Sequence, residues 1–132
     1  MNLFKKIVLI LAVMVGSHAT AGMISLDSML SGARDEASVR RALLEAVMKY
    51  GKVVLYFGAD WCKYCKTTKA AILELLSQYP DVMFVMADIT KYPFLKNGTI
   101  PKVRFHKNGA FLQETGSLSK VGLKAILNKY YR

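Results

Sequence analysis

Cys62 and Cys65 are the two cysteines of the chain, and both lie in the stretch DWCKYCK at residues 60–66. A bridge between residues three apart closes so short a loop that it constrains the unfolded chain little, which disfavours a structural staple. The spacing does suit chemistry on the sulfurs themselves. One thiolate attacks a disulfide, and the second displaces the first from the mixed disulfide that results. Just before them, VVLYFG at 53–58 is a continuous apolar run, β-branched and aromatic, of the length of a fully buried strand. Just after them a helix is expected from about Cys62 to Tyr79, stopped by Pro80, with Ala70, Ala71, Leu73, Leu75 and Leu76 on its apolar side. Cys62 therefore stands where a strand gives way to a helix. Unpaired backbone N–H groups and the helix dipole favour an anion there. A thiol so placed typically titrates at ~3.5–7.5 rather than at about 8.5. Lys63 and Lys66 add positive charge and are the expected tuners of that titration. Cys65, one turn on, is expected to be more buried and closer to an ordinary thiol. Cys62 thus reads as the nucleophile and Cys65 as the resolving thiol.

Two other uses of a cysteine pair are zinc binding and copper binding. Zinc takes four protein ligands, or three and a water. Downstream of residue 21 the chain offers only His106 and carboxylates beside the two sulfurs, with no second CxxC and no HxxxH, so no metal site and no cofactor are expected. Two thiolates can hold Cu(I), with methionine as a soft helper. Met23, Met29, Met48, Met83 and Met86 form no Met-x-x-Met cluster and read mostly as core. The alternative from a different class is a domain that holds copper or a partner without turning over disulfides.

The elements around the pair follow from pattern. Residues 22–37 suggest a short strand or turn and then irregular chain. Val39, Leu43, Val47 and Tyr50 form one helical stripe with Leu44 beside it, Ser38 placed to cap the start and Gly51 to end it. VMFVMADI at 82–89 is a second buried strand, and TKYPFLKNGT after it holds Pro93 and Gly98, which oppose a long helix. Val103 and Phe105 alternate with Lys102, Arg104 and His106, so His106 is expected on a solvated face. Asn108-Gly109 is a two-residue hairpin signal leading into AFLQET. Ser119 caps a last helix carrying Val121, Leu123, Ile126, Leu127 and Tyr130. The order (β)αβαβ(α)ββα predicts an α/β fold: a mixed sheet, parallel strands plus a C-terminal antiparallel hairpin, with helices on both faces.

The chain of 132 residues suffices for one domain. Its first residues stand apart. Lys5 and Lys6 precede the apolar run Ile7–Val15 and then small residues, which reads as a signal peptide of residues 1–21 cleaved after Ala21, leaving a domain of residues 22–132. Nine apolar residues are too few to cross roughly 30 Å of hydrocarbon, so no stable membrane insertion is expected after cleavage, although an uncleaved anchor is the other reading. Cleavage removes two lysines and no acid, lowering the net charge from +10 to +8. Periplasmic or otherwise exported localisation is expected, an oxidising setting in which thiol pairs form bridges or act as redox reagents. The remaining Lys and Arg are scattered, without a dense run. They read as solvated surface with some steering of partners, and no nucleic-acid partner is expected.

Residues 38–131 resemble the thioredoxin superfamily. VVLYFGADWCKYCK is similar to the family's strand, Trp, CxxC and Lys; TIPKVRFHKNG resembles its cis-proline segment; GSLSKVGLKAIL resembles its closing turn and final helix. With the leader, the resemblance is to periplasmic thioredoxin-like thiol:disulfide interchange proteins. It implies that Ile100-Pro101 is cis and lies against the cysteines. It also implies that Trp61 flanks the site, that Pro101 shapes the substrate groove, and that the Ile100 backbone pairs with bound peptide in strand fashion. Protein disulfide or dithiol substrates and a recycling partner are implied as well. Two departures stand out. Tyr56 replaces the family's buried Asp, and Lys63-Tyr64 replaces Gly-Pro between the cysteines. The chain has no room for a dimerisation domain or for the large helical insertion of the main oxidases, so a monomer acting as reductant more than oxidant is expected, though Lys63 pushes the other way.

Overall fold

A computed structural model describes residues 22–132. The leader and its cleavage point lie outside the described residues. Five strands form one sheet: β1 (Met23–Ser25), β2 (Lys52–Gly58), β3 (Met83–Asp88), β4 (Lys102–Lys107) and β5 (Ala110–Thr115), in the spatial order β1-β3-β2-β4-β5. β3 pairs in parallel with β1 and β2, while β4 pairs antiparallel with β2 and β5. The expected mixed sheet is therefore present, with its parallel half first and its hairpin last.

The helices are α1 (Leu26–Met29), α2 (Glu36–Lys49), α3 (Lys63–Leu75) and α4 (Lys120–Tyr131), with 3-10 turns at Leu76–Gln78 and Pro93–Leu95. β2 is central and buried from Val53 to Gly58, which is why its sequence is apolar throughout instead of alternating. Tyr56 faces α3, where its hydroxyl meets the Cys65 carbonyl, and its neighbours Leu55 and Phe57 face α2. Val53, Val54, Phe84, Val85, Val103 and Phe105 are fully enclosed, each such side chain contributing about 1.5–3 kcal/mol through removal of apolar surface from water.

Several local details depart from expectation. α1 forms where irregular chain was foreseen: Ser25 caps it, its Oγ accepting the Ser28 N–H at 3.3 Å, and Leu26 anchors it in the core. Asp27 in its first turn gathers the Arg34 guanidinium (3.1 Å), the Lys91 ammonium (2.5 Å) and the Tyr92 hydroxyl. Hydrogen bonds from Lys91 and Tyr92 hold this carboxyl below its usual range. α2 starts at Glu36, two residues before the expected cap. Asp35 occupies the capping position, and Ser38 in the first turn donates to its carboxylate at 2.6 Å. Leu44 is exposed, since Ala42 and Ala46 complete the buried stripe. α3 buries Cys65, Thr68, Ala71, Ile72 and Leu75, so Ala70 and Leu73 face solvent. On α4 the buried set is Leu123, Leu127 and Tyr131 at four-residue spacing, and Val121 is exposed. Met23 and Met48 are exposed, not core.

Two features secure the C-terminal half. Asn108 (φ +52°) and Gly109 (φ +81°) both adopt the left-handed region that a two-residue hairpin of matching twist requires. The Tyr131 hydroxyl lies 3.1 Å from the Val53 carbonyl and 2.8 Å from the His106 carbonyl, tying the end of α4 to β2 and β4. His106 corrects the solvated expectation: it is 8% exposed. It sits at a β-bulge after Phe105, with the Phe111 ring edge-on at 5.7 Å. Strand alternation assigned it to the right face, where the ring itself is enclosed although Lys102 and Arg104 beside it are partly exposed.

Candidate active site

β2 ends at Gly58, and four residues separate it from the start of α3 at Lys63. The turn is closed by the Cys62 N–H donating to the Ala59 carbonyl at 3.2 Å. Cys62 is the N-cap residue of α3, in extended backbone conformation, and its Sγ accepts the Cys65 N–H at 3.2 Å. The sulfur thus takes up one of the amide protons that a helix start leaves without a partner. Its own carbonyl accepts the Lys66 N–H at 3.2 Å, the first turn of the helix. Cys62 and Cys65 are joined as a disulfide with their Cα atoms 5.1 Å apart, inside the range such a bridge spans. Cys65 is the more enclosed, at 1% exposure against 8% for Cys62.

The Ile100-Pro101 peptide bond is cis, as the resemblance implied, and it brings the Ile100 carbonyl oxygen to 3.9 Å from Cys62 Sγ. Pro101 is buried and Ile100 half-buried. Gly98, at φ +84°, supplies the left-handed turn that leads into this segment. Trp61 stands beside the pair, 65% exposed, with the Lys96 ammonium 6.0 Å from its ring centroid. Tyr64, between the cysteines, is exposed to a similar degree and was not among the expected site residues. Lys63 and Lys66 are both exposed. Lys66 shares a cleft of about 240 Å³ with Cys65, Tyr56, Asp60 and Asp88, whereas Lys63 does not line it.

Tyr56 fills the space behind the resolving cysteine. Its hydroxyl donates to the Cys65 carbonyl at 3.2 Å. Burial, and then the charges of Asp60 and Asp88, push the phenol up to about 12. Gly58 makes room for it, since a Cβ there would overlap the phenol. A second support escaped the sequence reading. Thr68, fully buried one turn after Cys65, accepts the Leu118 N–H at 3.0 Å and fastens α3 to the segment before α4. A hydroxyl three residues after Cys65 on one helix face was the signal available. Among the described residues no group of three His, Cys, Asp or Glu side chains is placed to hold a metal ion.

The strand–CxxC–helix unit facing a cis-proline is the arrangement the sequence resemblance implied, and comparison with known proteins settles the kinship. The thioredoxin family profile matches residues 36–129. The chain belongs to the thioredoxin family. It is 30% identical over 105 residues to mitochondrial thioredoxin O2 of Arabidopsis thaliana, a match covering 75% of this chain and 66% of that protein. It is 32% identical over 89 residues to putative thioredoxin-4 of Dictyostelium discoideum, covering 64% of this chain and 86% of that one. The crystal structure of oxidised Arabidopsis thioredoxin O2 superimposes with a TM-score of 0.65 at 27% identity, over 85% of this chain and 96% of that chain. Cys62 and Cys65 are accordingly the pair of a thioredoxin-like thiol–disulfide oxidoreductase.

Proposed function

We propose that the protein is an exported dithiol–disulfide exchanger that reduces protein disulfides. In its reduced form the Cys62 thiolate attacks one sulfur of a substrate disulfide, forming a mixed disulfide and releasing the other substrate sulfur as a thiolate. Cys65 then loses its proton and attacks Cys62 Sγ, so the Cys62–Cys65 bridge forms and the second substrate thiol leaves. Two electrons pass to the substrate, and a separate reductant restores the pair. The single observation that carries this reading is the position of Cys62: its sulfur caps α3 and faces the cis Ile100-Pro101 segment. Extended peptide laid along that segment meets the Ile100 backbone as an added strand, with Trp61 and Pro101 as flanking surfaces.

The reducing direction is supported by what surrounds the sulfur. Lys63 and Lys66 are exposed, so their charges are screened by water and stabilise the thiolate less than a buried cation would. In this reading a thiolate held mainly by one N–H and a helix end favours the reducing end of the family's span, about −270 mV, over the strong oxidants at about −120 mV. Residues 1–21 act in this reading as the signal peptide, and the mature protein works as a monomer in the periplasm or an equivalent compartment.

The test is a pair of variants in an insulin-reduction assay. Cys62→Ser is expected to abolish exchange, and Cys65→Ser to accumulate mixed disulfides with substrate. Full activity in Cys62→Ser would refute the assignment of roles. N-terminal sequencing of exported protein should begin at Gly22; a start at Met1 would refute the leader.

A further inference from the structure

On the sheet face turned away from Tyr56 and the cysteines, α2 and the 3-10 turn Pro93–Leu95 leave the β4–β5 hairpin partly uncovered, and a cleft of about 360 Å³ remains there. That volume falls in the range of small-molecule sites. Its floor is apolar: Leu43 and Val47 from α2, Leu55 and Phe57 from β2. Its rim is cationic. Arg40, Lys102 and Arg104 line it, and no carboxylate residue does. His106 forms part of the wall, more than nine-tenths buried, and neither ring nitrogen has a hydrogen-bond partner. Buried polar groups in native proteins are nearly always paired, so this ring is a second and independent observation that points to a polar partner on this side of the sheet.

We propose that this cleft binds a small carboxylate with an apolar body, of the medium-chain fatty-acid kind. The chain lies along Leu43, Val47, Leu55 and Phe57; the carboxylate meets Arg104 and Lys102; and the His106 ring, whose nitrogens are enclosed in the free protein, turns toward the carboxylate to gain the acceptor it lacks. A wholly apolar occupant would leave both His106 nitrogens unpaired and draw nothing from the three cations. A cationic one would be repelled by them. Arg104 lies over the ring of Phe111, itself part of the lining, at 4.5 Å. Its ion pair with Glu114 at 3.2 Å is an exposed surface pair that holds it weakly, and Lys102 donates to the carbonyl of Asn97 at the edge of the same cleft. Arg40, which reaches Glu36 (2.9 Å) and the Phe94 carbonyl (3.3 Å), adds to the positive rim.

The test is a ¹H–¹⁵N NMR titration of the protein with decanoate, decanol and decyltrimethylammonium, each below its self-association concentration. Decanoate is expected to give saturable shifts at Leu43, Val47, Leu55 and the His106 imidazole. Decanol, and decanoate with Arg104→Gln, should bind about tenfold more weakly or less, the loss of one charge-assisted contact. Decyltrimethylammonium should not bind. Arg104→Gln should keep the wild-type spectrum away from the cleft and the wild-type rate of disulfide exchange, which separates this site from the cysteine pair. Absence of saturable decanoate shifts, equal binding of all three ligands, or shifts centred on Trp61 and Tyr64 would overturn the proposal. So would ligand-free shifts of the cleft amides that grow with protein concentration, which would make the face a contact between copies.

Discussion

Tyr56 decides what the resolving cysteine can use. With its titration pushed up to about 12, chiefly by burial, the phenol stays protonated at neutral pH and serves as a donor to the Cys65 carbonyl, not as a base. Asp27, Asp60 and Asp88 share a cleft with Cys65, which makes that cleft, and not the phenol, the route for proton release from Cys65 in the proposed exchange. Tyr56→Phe is therefore expected to leave disulfide exchange within a few-fold of wild type while lowering stability by about 1 kcal/mol, the usual worth of one such hydrogen bond. Urea denaturation alongside insulin reduction checks both halves, and a collapse of the exchange rate with stability intact would make the phenol a participant in proton transfer. The sequence showed that position 56 departs from the family's carboxylate. It did not show the phenol bonded to the Cys65 backbone, because that contact depends on Gly58 leaving space two residues along β2.

At the scale of elements, the site is only as well placed as α3, and α3 is fastened by few polar contacts. The Leu118 N–H is satisfied by Thr68 Oγ1 at 3.0 Å. Thr68→Val keeps the volume and removes the acceptor, leaving a part-buried amide unpaired at a cost of about 1–3 kcal/mol. The expected result is a lower denaturation midpoint at unchanged urea m-value; an unchanged midpoint would show that water serves the amide equally well. The start of α3, the Asn108-Gly109 turn and the Ser119 cap, whose Oγ accepts the Gly122 N–H at 3.1 Å, were all legible because each depends on one or two residues with strong local preferences. The buried face of α3 was not. Ala70, Ala71, Ile72 and Leu73 are four apolar residues in succession, so periodicity alone could not say which two face inward. Packing into the core and against α4 selects Ala71 and Ile72.

For the whole molecule, pH links the far face of the sheet to stability. Desolvation, and then the Arg104 charge, lower the titration of His106 in the folded protein below its ordinary value near 6.5. Folding therefore favours the neutral ring. The sign follows: stability is complete above about pH 6.5, where the unfolded chain also carries neutral histidine, and falls as pH drops from there through the lowered folded value. Below that value this contribution levels off. Thermal unfolding between pH 7.5 and 5 should show this loss, and His106→Phe should remove it. A midpoint that stays flat in wild type would contradict the burial of the ring. Alternation along β4 placed His106 on the correct face, and whether that face is wet depends on α2, more than fifty residues earlier in the chain. The order of strands and the parallel and antiparallel halves of the sheet were legible, since they follow from connection lengths and one hairpin turn.

Exchange at this site requires a Cys62 sulfur held as an anion where α3 opens toward Pro101. Titration of the reduced protein, following thiolate absorbance or the pH dependence of iodoacetamide alkylation with Cys65→Ser as a control, measures this directly. The prediction is that Cys62 ionises clearly below the value of about 8.5 for free cysteine and reacts first. Ionisation at or above that value, or alkylation of Cys65 ahead of Cys62, would contradict it.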